Sequence, residues 1–182
     1  MFGKLGRRAA QIAALTMIAA TVNLSGSPAR ADSDRVAAPV YEIEFQHSGL
    51  CLTVYNGAPM GSQAMQWNCD GYANGQWTFE FVDEFYAKIR NVHSGKCLTV
   101  YAGATWASPV MQWNCDGYAN GLWYGQLVEQ GSSGRDWYIL YNKAVGLCLN
   151  ISAIGPALGR PTILSGCAPT NFANKVTWYP PN

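Results

Sequence analysis

The chain has 182 residues, with 12 Lys and Arg against 11 Asp and Glu, a formal net charge of +1, and as many aromatic as charged residues (13% each). Four of the basic residues and none of the acidic ones fall within the first 31 positions, which leaves the rest of the chain at a net charge of −3. A weakly acidic body without a Lys/Arg cluster argues against nucleic acid or an anionic membrane as the partner, and its length fits one domain.

Residues 1–31 have the organisation of a secretory signal peptide. Lys4, Arg7 and Arg8 form a basic start, an apolar stretch runs from about Ile12 to Leu24, and Ala29-Arg30-Ala31 supplies a small-x-small cleavage site. The stretch is too short and wrongly flanked for a membrane anchor, and no second long apolar run follows it. The expectation is a secreted, extracellular product over residues 32–182, without membrane insertion and without an attached catalytic domain.

From Tyr41 onward the chain repeats itself. Met65–Gly75 and Met111–Gly121 are the same eleven residues, MQWNCDGYANG, at an offset of 46. The same offset carries His47–Gly49 onto His93–Gly95 and Cys51–Tyr55 onto Cys97–Tyr101. A fixed period of this size marks one supersecondary unit used several times. A third, diverged unit aligns on Cys148, with Gly146 over Gly95, Leu149 over Leu98 and Thr162–Cys167 over Ala64–Cys69. The repeats cover approximately 41–84, 85–130 and 137–182, and Trp178 is expected to close the third as Trp77 and Trp123 close the first two.

Within a repeat the pattern is short strands and turns. Tyr41–Phe45, Tyr86–Val92 and Trp137–Asn142 are rich in β-formers and alternate in polarity. A small turn follows each, then a second strand such as Leu50–Tyr55, a Gly/Pro/Ser-containing loop, a third short strand ending at the second cysteine, and a fourth beginning near 75–81. No segment keeps helical periodicity for three turns. About four strands in each of three repeats give an all-β, closed architecture with pseudo-threefold symmetry. Gly131-Ser132-Ser133-Gly134 reads as a loop insertion that lengthens the spacing before the third repeat.

Six cysteines in an exported protein read as a disulfide framework, although six allow fifteen pairings. The repeat narrows the choice. Cys51–Cys69, Cys97–Cys115 and Cys148–Cys167, separated by 18, 18 and 19 residues, give every repeat the same internal staple. Each closed loop contributes about 3 kcal/mol in the chain-entropy account. No closely spaced C-x₂-C pair offers a zinc site.

The order Ser-Gly-x-Cys-Leu-x-Val … Gln-Trp-x-Cys-x-Gly-x-x-Asn-x-x-Trp resembles the ricin B-type lectin repeat, the QxW β-trefoil, over essentially all of residues 41–182. The resemblance implies a β-trefoil and, in each repeat, one shallow sugar pocket. In that family an aromatic two residues before the second cysteine stacks on the sugar. An Asn three residues before the closing Trp bonds hydroxyls, and an Asp two residues after the first cysteine accepts from them. A pyranose has one C–H-rich face that suits a flat ring and a hydroxyl rim that demands planar donors and acceptors.

Carried onto this sequence, Trp67 and Asn74 fill the stacking and amide positions of the first repeat, and Trp113 and Asn120 those of the second. Core packing is the competing role for the tryptophans, and turn chemistry before Gly for the asparagines. The acidic position holds Thr53, Thr99 and Asn150, and threonine lacks a carboxylate's charge-assisted bonds. The QxW glutamine is replaced by Gly75, Gly121 and Val176, and the third stacking position by Ser165, so the third repeat is expected to bind nothing this way. Asp70 and Asp116 either supply the missing carboxylate or, as is commoner in an Asp-Gly turn, cap the backbone. Tyr72 and Tyr118 suit a second aromatic wall or loop packing. Trp106, which breaks the repeat opposite Met60, is a contact of the second repeat alone or an isolated patch.

Two histidines, His47 and His93, in equivalent turns of different repeats do not converge on a metal. With no free cysteine, a Ser-His-Asp or Cys-His constellation has little material, and no carboxylate pair stands out for glycoside hydrolysis. The sequence therefore points to a non-enzymatic secreted carbohydrate-binding protein, without cofactor or metal, whose partner is a glycan or polysaccharide. The alternative is a trefoil that binds a secreted protein, as a protease inhibitor or toxin-associated subunit, with Trp106 and the 131–136 loop in contact.

Overall fold

The computed structural model describes residues 38–131 and 134–181. The expected leader over residues 1–31 lies outside these, as do Ser132 and Ser133 of the loop insertion. Twelve strands fall four to a repeat: β1 Val40–Phe45, β2 Cys51–Thr53, β3 Met65–Trp67 and β4 Gln76–Phe81; β5 Tyr86–Asn91, β6 Cys97–Thr99, β7 Met111–Trp113 and β8 Trp123–Glu129; β9 Trp137–Asn142, β10 Cys148–Ile151, β11 Thr162–Ser165 and β12 Lys175–Tyr179. A three-residue 3₁₀ turn precedes each fourth strand.

The first and fourth strands of each repeat form the barrel. β1 pairs with β4, β4 with β5, β5 with β8, β8 with β9, β9 with β12, and β12 returns to β1, so six antiparallel strands close and leave no free edge. The other six strands make three hairpins, β2–β3, β6–β7 and β10–β11. At their meeting point the backbone forms a ring across the pseudo-threefold axis. Ala64 donates to Val110 O (2.9 Å), Val110 to Thr162 O (3.1 Å) and Thr162 to Ala64 O (2.8 Å). This is a β-trefoil, and the three disulfides are Cys51–Cys69, Cys97–Cys115 and Cys148–Cys167, one to a repeat.

The core is built from equivalent positions. Leu52, Leu98 and Leu149 point inward from the second strands, with Val54, Val100 and Ile151 two residues on, all buried. Trp77 and Trp123 are buried, and each indole N–H donates to a backbone carbonyl, Leu52 O and Leu98 O, at 2.8 Å. The third repeat corrects the reading of Trp178. Trp77 pairs with Asn91 and Trp123 with Asn142, while the residue that pairs with the equivalent Phe45 is Val176. Val176, fully buried, is thus the counterpart of the closing tryptophans, and Ala173 and Asn174 take the places of Asn74 and Gly75. Trp178, two residues later, stacks on Tyr138 with ring centroids 4.1 Å apart. The swap conserves volume, a Val against a Phe where the other repeats set a Trp against an Asn.

His47 and His93 are separate, as expected from their repeats, and differ in environment. His93 is exposed, whereas both ring nitrogens of His47 are buried and, among the described residues, have no hydrogen-bond partner. Burial, and secondarily the positive charge of Arg160, hold the His47 pKa below its ordinary 6.5. The unfolded chain therefore takes up this proton more readily than the folded one. The stability contributed by neutral His47 is complete above about pH 6.5 and is lost as the pH falls through the lowered value. His47→Phe should flatten the acid limb of the urea midpoint between pH 7 and 5; an identical acid loss in wild type and variant would contradict this.

Candidate functional site

Register places the site residues. In the β2–β3 hairpin Cys51 pairs with Trp67, Leu52 with Gln66 and Thr53 with Met65. Paired residues share a face and neighbours alternate, so Thr53, Met65 and Trp67 stand on one face while Leu52 enters the core. The β6–β7 hairpin repeats this with Thr99, Met111 and Trp113. The 3₁₀ turns then bring Asn74 and Asn120 over the same face.

Two equivalent clefts result. The first, about 230 Å³, is lined by Thr53, Val54, Tyr55, Asn56, Met65, Trp67 and Asn74. The second, about 180 Å³, is lined by Thr99, Val100, Tyr101, Ala102, Met111, Trp113 and Asn120. Trp67 is 38% exposed and Trp113 half-buried, unlike the buried Trp77 and Trp123. Tyr55 and Tyr101, 71% and 55% exposed, stand in the same clefts. They were not singled out from the sequence, although both end the repeated CLTVY segment.

The polar groups are few and partly engaged. Asn74 donates an amide N–H to Val54 O (3.0 Å) and Asn120 to Val100 O (2.7 Å). That bond orients each amide, and among the described residues its oxygen has no partner. Thr53 and Thr99 are buried, their hydroxyls donating to Cys51 O and Cys97 O at 3.2 Å. A Cβ added at Gly75 or Gly121 would lie 3.3 or 3.2 Å from the corresponding threonine oxygen. The two departures from the family pattern, threonine for the acid and glycine for the glutamine, are therefore neighbours, and a side chain at the glycine would crowd the threonine oxygen.

Asp70 and Asp116 act as turn residues. Each accepts from the backbone N–H two residues on, Tyr72 and Tyr118 respectively, at 3.2 Å, and neither lines its repeat's cleft. Asp70, with Tyr72 and His93, instead lines an adjoining open depression of about 460 Å³ that shares Asn56, Trp67 and Asn74 with the first cleft.

Each cleft leans on the preceding repeat. Gln66 and Gln112, the buried glutamines before the stacking tryptophans, reach across the repeat boundary. Gln66 donates to Gly155 O (2.9 Å) and Ala157 O (2.8 Å), and Gln112 to Ala58 O (2.9 Å) and Pro59 O (3.3 Å). Gly159 and Gly61 follow in those loops, where an added Cβ would lie 3.8 Å from the Trp67 ring and 3.3 Å from the Trp113 ring. In the third repeat the corresponding polar atoms satisfy one another. Asn150 donates to Ser165 Oγ (2.6 Å) and accepts from the Ile151 N–H (2.7 Å), and the ring of Trp106 lies against Gly166. Among the described residues no three His, Cys, Asp or Glu side chains gather as a metal cage. No described helix is long and apolar enough to cross a membrane.

The model of the ricin-type beta-trefoil lectin domain-like family matches residues 33–113 and again 76–165. The chain belongs to that family. The overlap of the two matches is itself a mark of the internal repeat. Comparison with curated proteins finds no significant match. Among solved structures this ricin-type trefoil is similar to ThreeFoil, a designed threefold-symmetric protein, with TM-score 0.69 and 25% identity over 76% of this chain and 96% of that one. It is also similar to 1,3Gal43A, an exo-β-1,3-galactanase from Clostridium thermocellum, with TM-score 0.70 and 21% identity over 79% of this chain but only 30% of that one. The ricin B-like lectin of Macrolepiota procera, solved with lactose, has TM-score 0.64 and 14% identity over 81% of this chain and 99% of that one.

Proposed function

We propose that this ricin-type trefoil is a secreted, non-enzymatic carbohydrate-binding protein with two weak sugar sites, in repeats one and two. The observation that carries the reading is the pair of equivalent clefts, each with an accessible indole, a tyrosine and an oriented asparagine amide. A sugar ring laid on Trp67 or Trp113 has its hydroxyl rim within the reach of Asn74 and Thr53, or Asn120 and Thr99. The missing carboxylate removes charge-assisted acceptance and keeps each site weak. Useful retention then comes from two sites engaging one polymer or surface. Three disulfides and the leader-like segment at 1–31 support export to an oxidising compartment.

The protein-binding alternative is favoured by one observation, the 67% exposure of Trp106 outside both clefts. A trefoil that contacts a protein needs no acidic acceptor, and structures of similar fold include the cytolethal distending toxin of Haemophilus ducreyi (TM-score 0.59, 17% identity). A glycan array probed with oxidised protein spanning residues 32–182 separates the two. A signal competed by free sugar supports the lectin reading, and a blank array rejects it in favour of a protein partner.

A further inference from the structure

The two copies of MQWNCDGYANG are identical, yet their surroundings are not. The first cleft opens into two further depressions. The adjoining one shares Asn56, Trp67 and Asn74 with it. A third, about 190 Å³, shares His93 with that depression and Tyr55 with the first cleft, and adds Ser94 and Lys96. Through these shared residues the three lie side by side, as one stretch of grooved surface across the boundary between repeats one and two. Singly, the first and third volumes fall below the roughly 300–1,000 Å³ of pockets that hold drug-sized ligands, so a ligand longer than one ring would lie across more than one of them.

Of the residues that extend the groove, Asp70, Tyr72 and Ala73 recur around the second cleft as Asp116, Tyr118 and Ala119, but four others do not. In the surroundings of the second cleft, Asn56 is replaced by Ala102, and His93, Ser94 and Lys96 by Ala144, Val145 and Leu147. Val145 and Leu147 pack against the hydrophobic core. The polar turn beside the first cleft is thus an apolar, core-facing turn beside the second. Chemistry also changes along the groove. No carboxylate lines its far end, whose lining includes Lys96, His93 and Ser94. Among the described residues neither Lys96 nor His93 makes a side-chain hydrogen bond or ion pair. The groove's acid, Asp70, lines a different depression and is engaged by the Tyr72 N–H. A compact ammonium of this kind suits a carboxylate, sulfate or phosphate on a ligand.

We infer that repeat one takes an acidic oligosaccharide, one ring on Trp67 and the anionic group of a neighbouring sugar beside Lys96 and His93, whereas repeat two takes a single ring without regard to charge. This rests on the sugar-binding reading above and specifies its ligand. The test is an array of matched neutral and acidic glycans from monosaccharides to tetrasaccharides, with lactose, sialyllactose and sulfated lactose among them. It is probed with wild type, Trp67→Ala, Trp113→Ala, and Trp113→Ala carrying Lys96→Leu. The leucine copies the residue repeat three already holds at that place, and a thermal midpoint confirms folding.

Trp113→Ala should bind acidic oligosaccharides at least tenfold better than their neutral counterparts, and added Lys96→Leu should erase that ratio. Trp67→Ala should show no preference for charge or chain length. Equal preferences in the two single variants, or an acid preference that survives Lys96→Leu, would overturn the inference while leaving the lectin reading intact. A wild-type protein silent on every glycan would overturn the lectin reading, and this inference with it.

Discussion

Alanine at both Trp67 and Trp113 is expected to abolish retention on any immobilised polysaccharide that holds the wild-type protein, while each single change weakens it. The indoles are the flat rings at the family's stacking position in the two clefts, and the neighbouring threonines supply no charge-assisted bond that could hold a sugar without them. Truncating an aromatic anchor of this kind costs on the order of 2 kcal/mol, about thirty-fold per site. Loss of one site also removes the effective concentration that the second confers, so each single variant should lose more on a polymer than on a free monosaccharide. Folding should be little affected because both rings are accessible at the surface. Affinity electrophoresis beside a thermal melt checks both halves, and undiminished retention by a folded double variant would remove these clefts from the binding account.

The opposite outcome is expected ten residues further on. Trp123→Ala should cost about 3–5 kcal/mol of stability, because it empties a large buried volume. It also strips the Leu98 carbonyl of the indole N–H that it accepts at 2.8 Å. In urea the midpoint should fall steeply, with sugar binding at low denaturant and temperature retained by whatever fraction remains folded. Trp113→Ala is the matched control. If both variants shifted the midpoint equally, the division into site and core tryptophans would be wrong.

The separation of the buried tryptophans from the more accessible ones was legible in the sequence because each tryptophan keeps a fixed distance from a cysteine, and the cysteines recur with the period. The fold and the disulfide pairing followed from the same regularity. Trp178 misled because a matching letter drew the alignment, whereas the hydrogen-bonded register puts Val176 opposite Phe45. Volume is conserved across that pair rather than residue type. Asp70 and Asp116 fell to the commoner role of an Asp before Gly. Tyr55 and Asn56 escaped notice because they leave the strand just where the chain turns back over its own cleft. Gln66 and Gln112 escaped because the carbonyls to which their amide N–H groups donate lie 89 or more and 53 or more residues away, across a repeat boundary that no local pattern reveals.

Those glutamines change what counts as the smallest working piece of the molecule. The Trp113 ring is backed by residue 61 of repeat one, and the Trp67 ring by residue 159 of repeat three. A single excised repeat carries all eleven letters of its motif and still lacks the surface its tryptophan rests on. Sites in this architecture are inherited by junctions. A new copy of the unit gains a pocket only when it is spliced beside a neighbour whose loop already has the shape to receive it.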